Sequence, residues 1–109
     1  MKPESHFRVA LGVLGVSCMP YWVYVLRSEP SGRRYVGQTD DLAARLRRHG
    51  EGLVFSTAPY RPWRLLHAES FASRSAAMVR ERFLKSGQGR EFLDQMEEEL
   101  NRQSPPEAD

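Results

Sequence analysis

Trp22-Val-Tyr-Val-Leu-Arg27, then Glu29-Pro-Ser-Gly32, then Arg33-Arg-Tyr-Val-Gly37 read together as a β-hairpin. β-Branched and aromatic residues fill the outer pieces, and turn chemistry separates them. Thr39-Asp40-Asp41 offers an N-cap for a helix from Leu42 to His49, closed by Gly50. On that helix Leu42 and Leu46 face a core, while Arg45 and His49 share a neighbouring stripe. Glu51 to Pro62 is a loop carrying Gly52, Pro59 and Pro62, and Trp63 to Phe71 is a third strand. A second helix is predicted from Arg74 to Ser86, stopped by Gly87, with Ala76, Val79 and Phe83 as its buried stripe. Arg90 to Asn101 comes next as a helix with Phe92, Leu93, Met96 and Leu100 on one face. This order implies an α+β fold, a small three-stranded antiparallel sheet flanked by helices.

At 109 residues the chain has room for one domain and one modest core. We expect the domain over residues 21–101, an N-terminal extension, flexible, over 1–20, and a disordered tail over 102–109. Val9 to Val16 is apolar and comes after Lys2 and Arg8, but Glu4 dilutes the basic region and no Ala-x-Ala site follows. Met19, just before Pro20 and the first strand, is the expected initiator. No apolar run approaches the ~20 residues a membrane span needs. Cys18 has no cysteine partner and no Cys/His cluster has zinc spacing, so a cytoplasmic, reducing setting and a monomer are expected.

The net charge of +2 conceals an asymmetry. Residues 22–93 hold 13 Lys/Arg against 7 Asp/Glu, whereas residues 94–109 hold 6 acids against Arg102. Arginine supplies 14 of the 16 cations, and its planar fork suits phosphate oxygens. A basic body fits a nucleic-acid partner. Arg33, Arg34, Arg47, Arg48 and Lys85 are the candidate phosphate contacts. Glu97-Glu98-Glu99 reads as a solvated helix surface, and His67 and Glu69 as structural hydrogen-bonding partners.

Ten residues separate Tyr24 from Tyr35, and Arg45 lies eight past Gly37. Val23-Tyr24 and Tyr35-Val36-Gly37 at this spacing resemble the two half-motifs of the GIY-YIG nucleases. Arg45 matches the family's helix arginine, His49 the histidine or tyrosine one turn later, and Glu81 its metal-binding glutamate. Leu84-Lys-Ser-Gly-Gln-Gly-Arg-Glu-Phe-Leu93 is similar to small stand-alone members, and the resemblance covers roughly Tyr21 to Leu93. It implies a DNA endonuclease that hydrolyses phosphodiester bonds with Mg²⁺ or Mn²⁺ held by Glu81. Tyr24, Tyr35, Arg45 and His49 would be its catalytic residues. It implicates both tyrosines without assigning the base; Tyr35 is the preferred base, with Tyr24 orienting water or phosphate. The chain departs from the pattern at Trp22, where the first motif has glycine, and at Gln38, where some members have lysine. With no added DNA-binding module, structure-selective or weakly selective cleavage is expected, in repair or recombination. The competing reading is a non-catalytic nucleic-acid-binding module, or a docking partner of a larger repair complex.

Overall fold

Alternation along the first strand sets the architecture. The computed structural model describes residues 20–103. Strand β1 (Tyr21–Ser28) is followed by β2 (Arg34–Thr39), α1 (Leu42–Gly50), a 3-10 turn at Ala58–Tyr60, β3 (Trp63–Phe71), α2 (Arg74–Leu84) and α3 (Gly87–Gln103). The sheet is antiparallel in the order β2-β1-β3, so β1 is central and must bury both faces. Val23 and Val25 pack with Leu66, Ala77, Leu84 and Leu93 under α2 and α3. Tyr24 and Leu26 point the other way and pack with Leu42 and Ala68 under α1. The expected α+β architecture is therefore observed, with helices on both faces and β2 left as an open edge. None of the described helices is long and apolar enough to cross a membrane.

Local chemistry fixes the helix ends. Asp41 accepts a hydrogen bond from the Ala44 N–H at 3.1 Å, and Ser73 does the same for Ala76 at 3.1 Å. The expectation that Gly87 stops α2 is corrected: α2 ends at Leu84 and Gly87 opens α3. Ser86 explains the change, because its Oγ donates to the Phe83 carbonyl at 2.6 Å and accepts from the Gly89 N–H at 3.1 Å. A Cβ at Gly89 would collide with the Phe83 carbonyl oxygen and the Leu84 backbone, so the two helices meet at a position only glycine fits.

The stripe on α2 is also corrected. Ala77 and Leu84 are buried, whereas Ala76 faces solvent and Val79 is 64% exposed. Phe83 packs at the core's margin. Glu97 is not solvated as expected: it takes Arg34 at 2.6 Å and Arg27 at 3.0 Å. Helix α3 also continues through Arg102 and Gln103, at positions expected to belong to the tail. The expected initiator Met19, the rest of residues 1–19, and residues 104–109 lie outside the described residues.

Candidate active site

Tyr24 lies mid-β1, opposite Gly37 of β2, and is 1% exposed. Its ring crosses the neighbouring strand at that glycine. A Cβ on Gly37 would stand 2.7 Å from the Tyr24 Oη and 2.9 Å from Cε2 of Tyr35. The motif's glycine is therefore the floor on which both phenols lie. The Tyr24 and Tyr35 rings are 6.2 Å apart, and His49 from α1 lies 5.7 Å from the first and 5.0 Å from the second.

His49 is 1% exposed, although a lone helix histidine is ordinarily solvated. It bridges the Tyr24 Oη at 2.9 Å through Nε2 and the Thr57 Oγ1 at 2.8 Å through Nδ1. Burial, then the charges of Arg45 and Arg48, lower its pKa and hold the ring neutral. A neutral imidazole has one N–H to give. The Thr57 hydroxyl donates to the Val54 carbonyl at 3.4 Å, so it accepts from Nδ1–H, and Nε2 offers its lone pair to the Tyr24 O–H. Burial, then neighbouring Tyr35 and the charge of Glu81, push the Tyr24 phenol's pKa well up, with Arg45 in opposition. In the resting site Tyr24 therefore keeps its proton, and directs it at His49.

Glu81 arrives from the other face of the sheet. Strand alternation sends Gln38 opposite to Gly37, toward α2, where its Nε2 donates to Glu81 Oε1 at 2.7 Å. The Lys85 ammonium contacts Glu81 Oε2 at 2.8 Å. Since a carboxylate only accepts, the Gln38 amide must face it nitrogen first. The Gln38 Oε1 is thereby left buried with no hydrogen-bond partner. The phenols thus lie on the α1 face of the sheet and the carboxylate on the α2 face, and the charge of Glu81 is the least of the causes that raise the Tyr24 pKa. A cavity of about 670 Å³ runs beside β2 between Tyr35, Val36, Lys85 and Arg90.

The candidate residues separate cleanly. Tyr24, Tyr35 and His49 touch, Arg45 acts on Tyr24 and His49 through its charge, and Glu81 bonds Gln38 and Lys85. Arg47 and Arg48 are exposed on the last turn of α1, and exposed Arg33 lies 4.3 Å over the Tyr60 ring. Arg34 is not an open phosphate contact as expected: its side chain is 19% exposed and held by Asp94 at 2.8 Å and Glu97 at 2.6 Å. His67 and Glu69 form the structural network expected, closed by Arg80 at 2.9 Å. Burial pushes Glu69 up, but its bonds to His67 and Arg80 outweigh this and bring its pKa down to about 2.

Sequence reasoning misses Thr57 and misjudges Gln38. Nothing local marks Thr57; the one usable signal is that a buried His49 needs a partner for each ring nitrogen. Gln38 reads in the sequence as a missing charge, whereas it aligns Glu81.

This chain belongs to the GIY-YIG family: the model of the GIY-YIG catalytic domain matches residues 20–93. It is 42% identical over 72 residues to a protein named structure-specific endonuclease subunit SLX1, from Meyerozyma guilliermondii; the match covers 60% of this chain and 24% of that protein. The chain thus spans about a quarter of that relative's length. It is 38% identical over 81 residues to a UPF0213 protein of Haloquadratum walsbyi, covering 72% of this chain and 88% of the other. No solved structure matches.

Proposed function

We propose that the chain is a divalent-metal-dependent DNA endonuclease hydrolysing phosphodiester bonds, with a preference for branched or distorted DNA of the kind met in repair or recombination. The observation that carries this is the buried Tyr24–His49–Thr57 chain on one face of the sheet, with the Glu81–Gln38 pair on the other, one residue along β2 from the Gly37 that Tyr24 lies against. A protein that only bound DNA would need basic surface and no such polar assembly. The name of the SLX1 relative supports structured DNA as substrate.

The donor set fits Mg²⁺ or Mn²⁺. The Glu81 carboxylate and the unpartnered Gln38 Oε1 are hard oxygens, the ligand type these ions take. Among the described residues no three His, Cys, Asp or Glu side chains gather, so Glu81 would hold the ion as the sole carboxylate. The Lys85 ammonium at 2.8 Å marks where a cation is stabilised, and its side chain, 55% exposed, can swing away at little cost. When bound, the ion would neutralise charge on the scissile phosphate and acidify a water.

The chain's own residues do the rest. Arg45 donates to the non-bridging phosphate oxygens as negative charge builds there. Tyr24, its proton committed to His49, offers oxygen lone pairs that orient the attacking water. Tyr35, acting as the base, takes the proton of the attacking water. The test is Glu81→Gln, which keeps volume and the Gln38 contact but removes the charge. Cleavage of plasmid and branched DNA should fall by orders of magnitude, while binding without divalent ion stays level or rises slightly. Tyr35→Phe should cut turnover in the same way. Parent-rate cleavage by Glu81→Gln with normal metal dependence would refute the mechanism. A parent chain that binds DNA and never cuts it would leave the binding-module reading.

A further inference from the structure

Phe55 is 94% exposed and Leu53 is 54% exposed, both in the loop joining α1 to β3. A single exposed apolar side chain is ordinary in itself, so the meaning of Phe55 lies in how its loop is anchored. The loop is rigid. The N–H groups of Thr57 and Ala58 both donate to the Val54 carbonyl, at 3.1 and 2.9 Å, closing a turn with Phe55 and Ser56 at its tip. The loop's start is fixed by Gly52 N–H on the His49 carbonyl at 3.2 Å and Leu53 N–H on the Arg48 carbonyl at 2.9 Å. Behind the tip, Thr57 is buried, holds His49 through its hydroxyl, and takes the Trp63 indole N–H on its carbonyl at 2.8 Å.

The turn's surroundings are cationic. Arg61 donates from Nε to the Ala58 carbonyl at 3.0 Å, and its guanidinium lies so close to Gly52 that a Cβ there would be 2.8 Å from it. Exposed Arg47 and Arg48 end α1 beside the loop.

We propose that Phe55 is a stacking wedge for an unpaired or unstacked nucleobase of DNA bound at the site, and that it makes the site favour DNA with a splayed segment over intact duplex. This rests on the reading of DNA as the ligand. Phe55 stands two residues before Thr57, whose hydroxyl holds His49 and through it Tyr24, so the loop that carries the ring is tied directly to that pair. Every base presents a π-face, so stacking selects for opened structure and tolerates any sequence. The flanking arginines hold the backbone on either side.

The test uses the full chain without divalent ion, a Y-shaped DNA carrying 2-aminopurine at the branch, and an intact duplex of equal length. Phe55→Ala should weaken binding to the Y-shaped DNA by between about fivefold and about a hundredfold, the range of one base–aromatic stack. Duplex binding should change little, and Phe55→Trp should restore affinity. Parent protein should alter the 2-aminopurine fluorescence and Phe55→Ala should not. Thermal melting of Phe55→Ala should match the parent, since the ring packs on almost nothing. Equal binding of both DNAs by parent and Phe55→Ala, with the same fluorescence change, overturns the wedge; a docking site for a protein partner predicts that result. The two readings fail separately: Phe55-dependent binding without cleavage in any metal sinks the nuclease and keeps the wedge, whereas cleavage of Y-shaped DNA indifferent to Phe55 does the reverse.

Discussion

Gly37→Ala tests the geometry of the site more sharply than removal of any catalytic group. The new Cβ would lie 2.7 Å from the Tyr24 Oη and 2.9 Å from both the Tyr24 Cζ and the Tyr35 Cε2. Tyr24 is 1% exposed, so its ring has no solvent-side escape and must lift off β2. Lifting it breaks the 2.9 Å bond to His49 and strands a buried nitrogen. Overpacking a dense core costs ~1–3 kcal/mol, and a buried polar group without its partner costs ~1–3 kcal/mol more. A loss of roughly 2–6 kcal/mol is expected, which most domains survive with little margin. Urea denaturation of parent and variant measures it, and nicking of plasmid DNA should fall to background at temperatures where the variant is folded. Gly50→Ala is the control, because nothing lies within 4 Å of a Cβ there; it should be neutral or stabilising by up to ~1 kcal/mol. Adding Tyr24→Phe to Gly37→Ala removes the 2.7 Å contact and should recover part of the stability, so the two changes should couple in a double-mutant cycle. Strict additivity, or a Gly37→Ala protein as stable as the parent, would show that the ring does not rest on this glycine.

Thr57→Val keeps shape but removes the acceptor for His49 Nδ1–H; it should destabilise by about 1–3 kcal/mol and lower the cleavage rate without changing metal-free DNA affinity, and an unchanged rate would show that the histidine's tautomer is irrelevant. The pH dependence of stability stems from two groups whose folded pKa values are depressed. His49 contributes fully above its ordinary 6.5 and less as pH falls below it, because the unfolded chain then takes a proton that the folded chain refuses. Glu69 contributes above 4.5, and its share is lost as pH falls toward about 2. Urea titrations across pH 8 to 3 should show both declines, and His49→Gln should abolish the first.

The hairpin and β3 were legible because alternation and bracketing prolines leave them no other reading, and β3 keeps its expected bounds from Trp63 to Phe71. The phase of α2 was not, since Ala76 and Ala77 are the same residue side by side, and which one is buried depends on where β1 and β3 lie. Gly87 looks like a stop until Ser86 is recognised as the cap of α3. In the site, motif spacing singles out Tyr24, Tyr35, Arg45, His49 and Glu81 as candidates, whereas their orientations depend on contacts distant in sequence. Gln38 reaches Glu81 across 43 positions and Arg34 reaches Glu97 across 63. No local pattern encodes such pairs, so neither the alignment of Glu81 nor the engagement of Arg34 is legible in the sequence.

The four residues Tyr35-Val36-Gly37-Gln38 explain why the second half-motif is short and unbroken. Successive side chains of a strand point to opposite faces. Tyr35 and Gly37 therefore serve the α1 face, one supplying a phenol and the other the floor for Tyr24. Val36 and Gln38 serve the α2 face, one packing in the core and the other holding Glu81. The two groups of candidate residues lie on opposite sides of the sheet, separated along β2 by the single peptide step between Gly37 and Gln38. An insertion or deletion within the four would exchange the faces and separate carboxylate from phenols. Among the described residues the order β2-β1-β3 leaves the outer edge of β2 unpaired. A fourth strand beyond β2 would satisfy its unpaired backbone groups and remove the usual hazard of an exposed edge. It would also set new side chains directly beside Tyr35 on one face and Gln38 on the other, so the open edge keeps both candidate groups uncrowded.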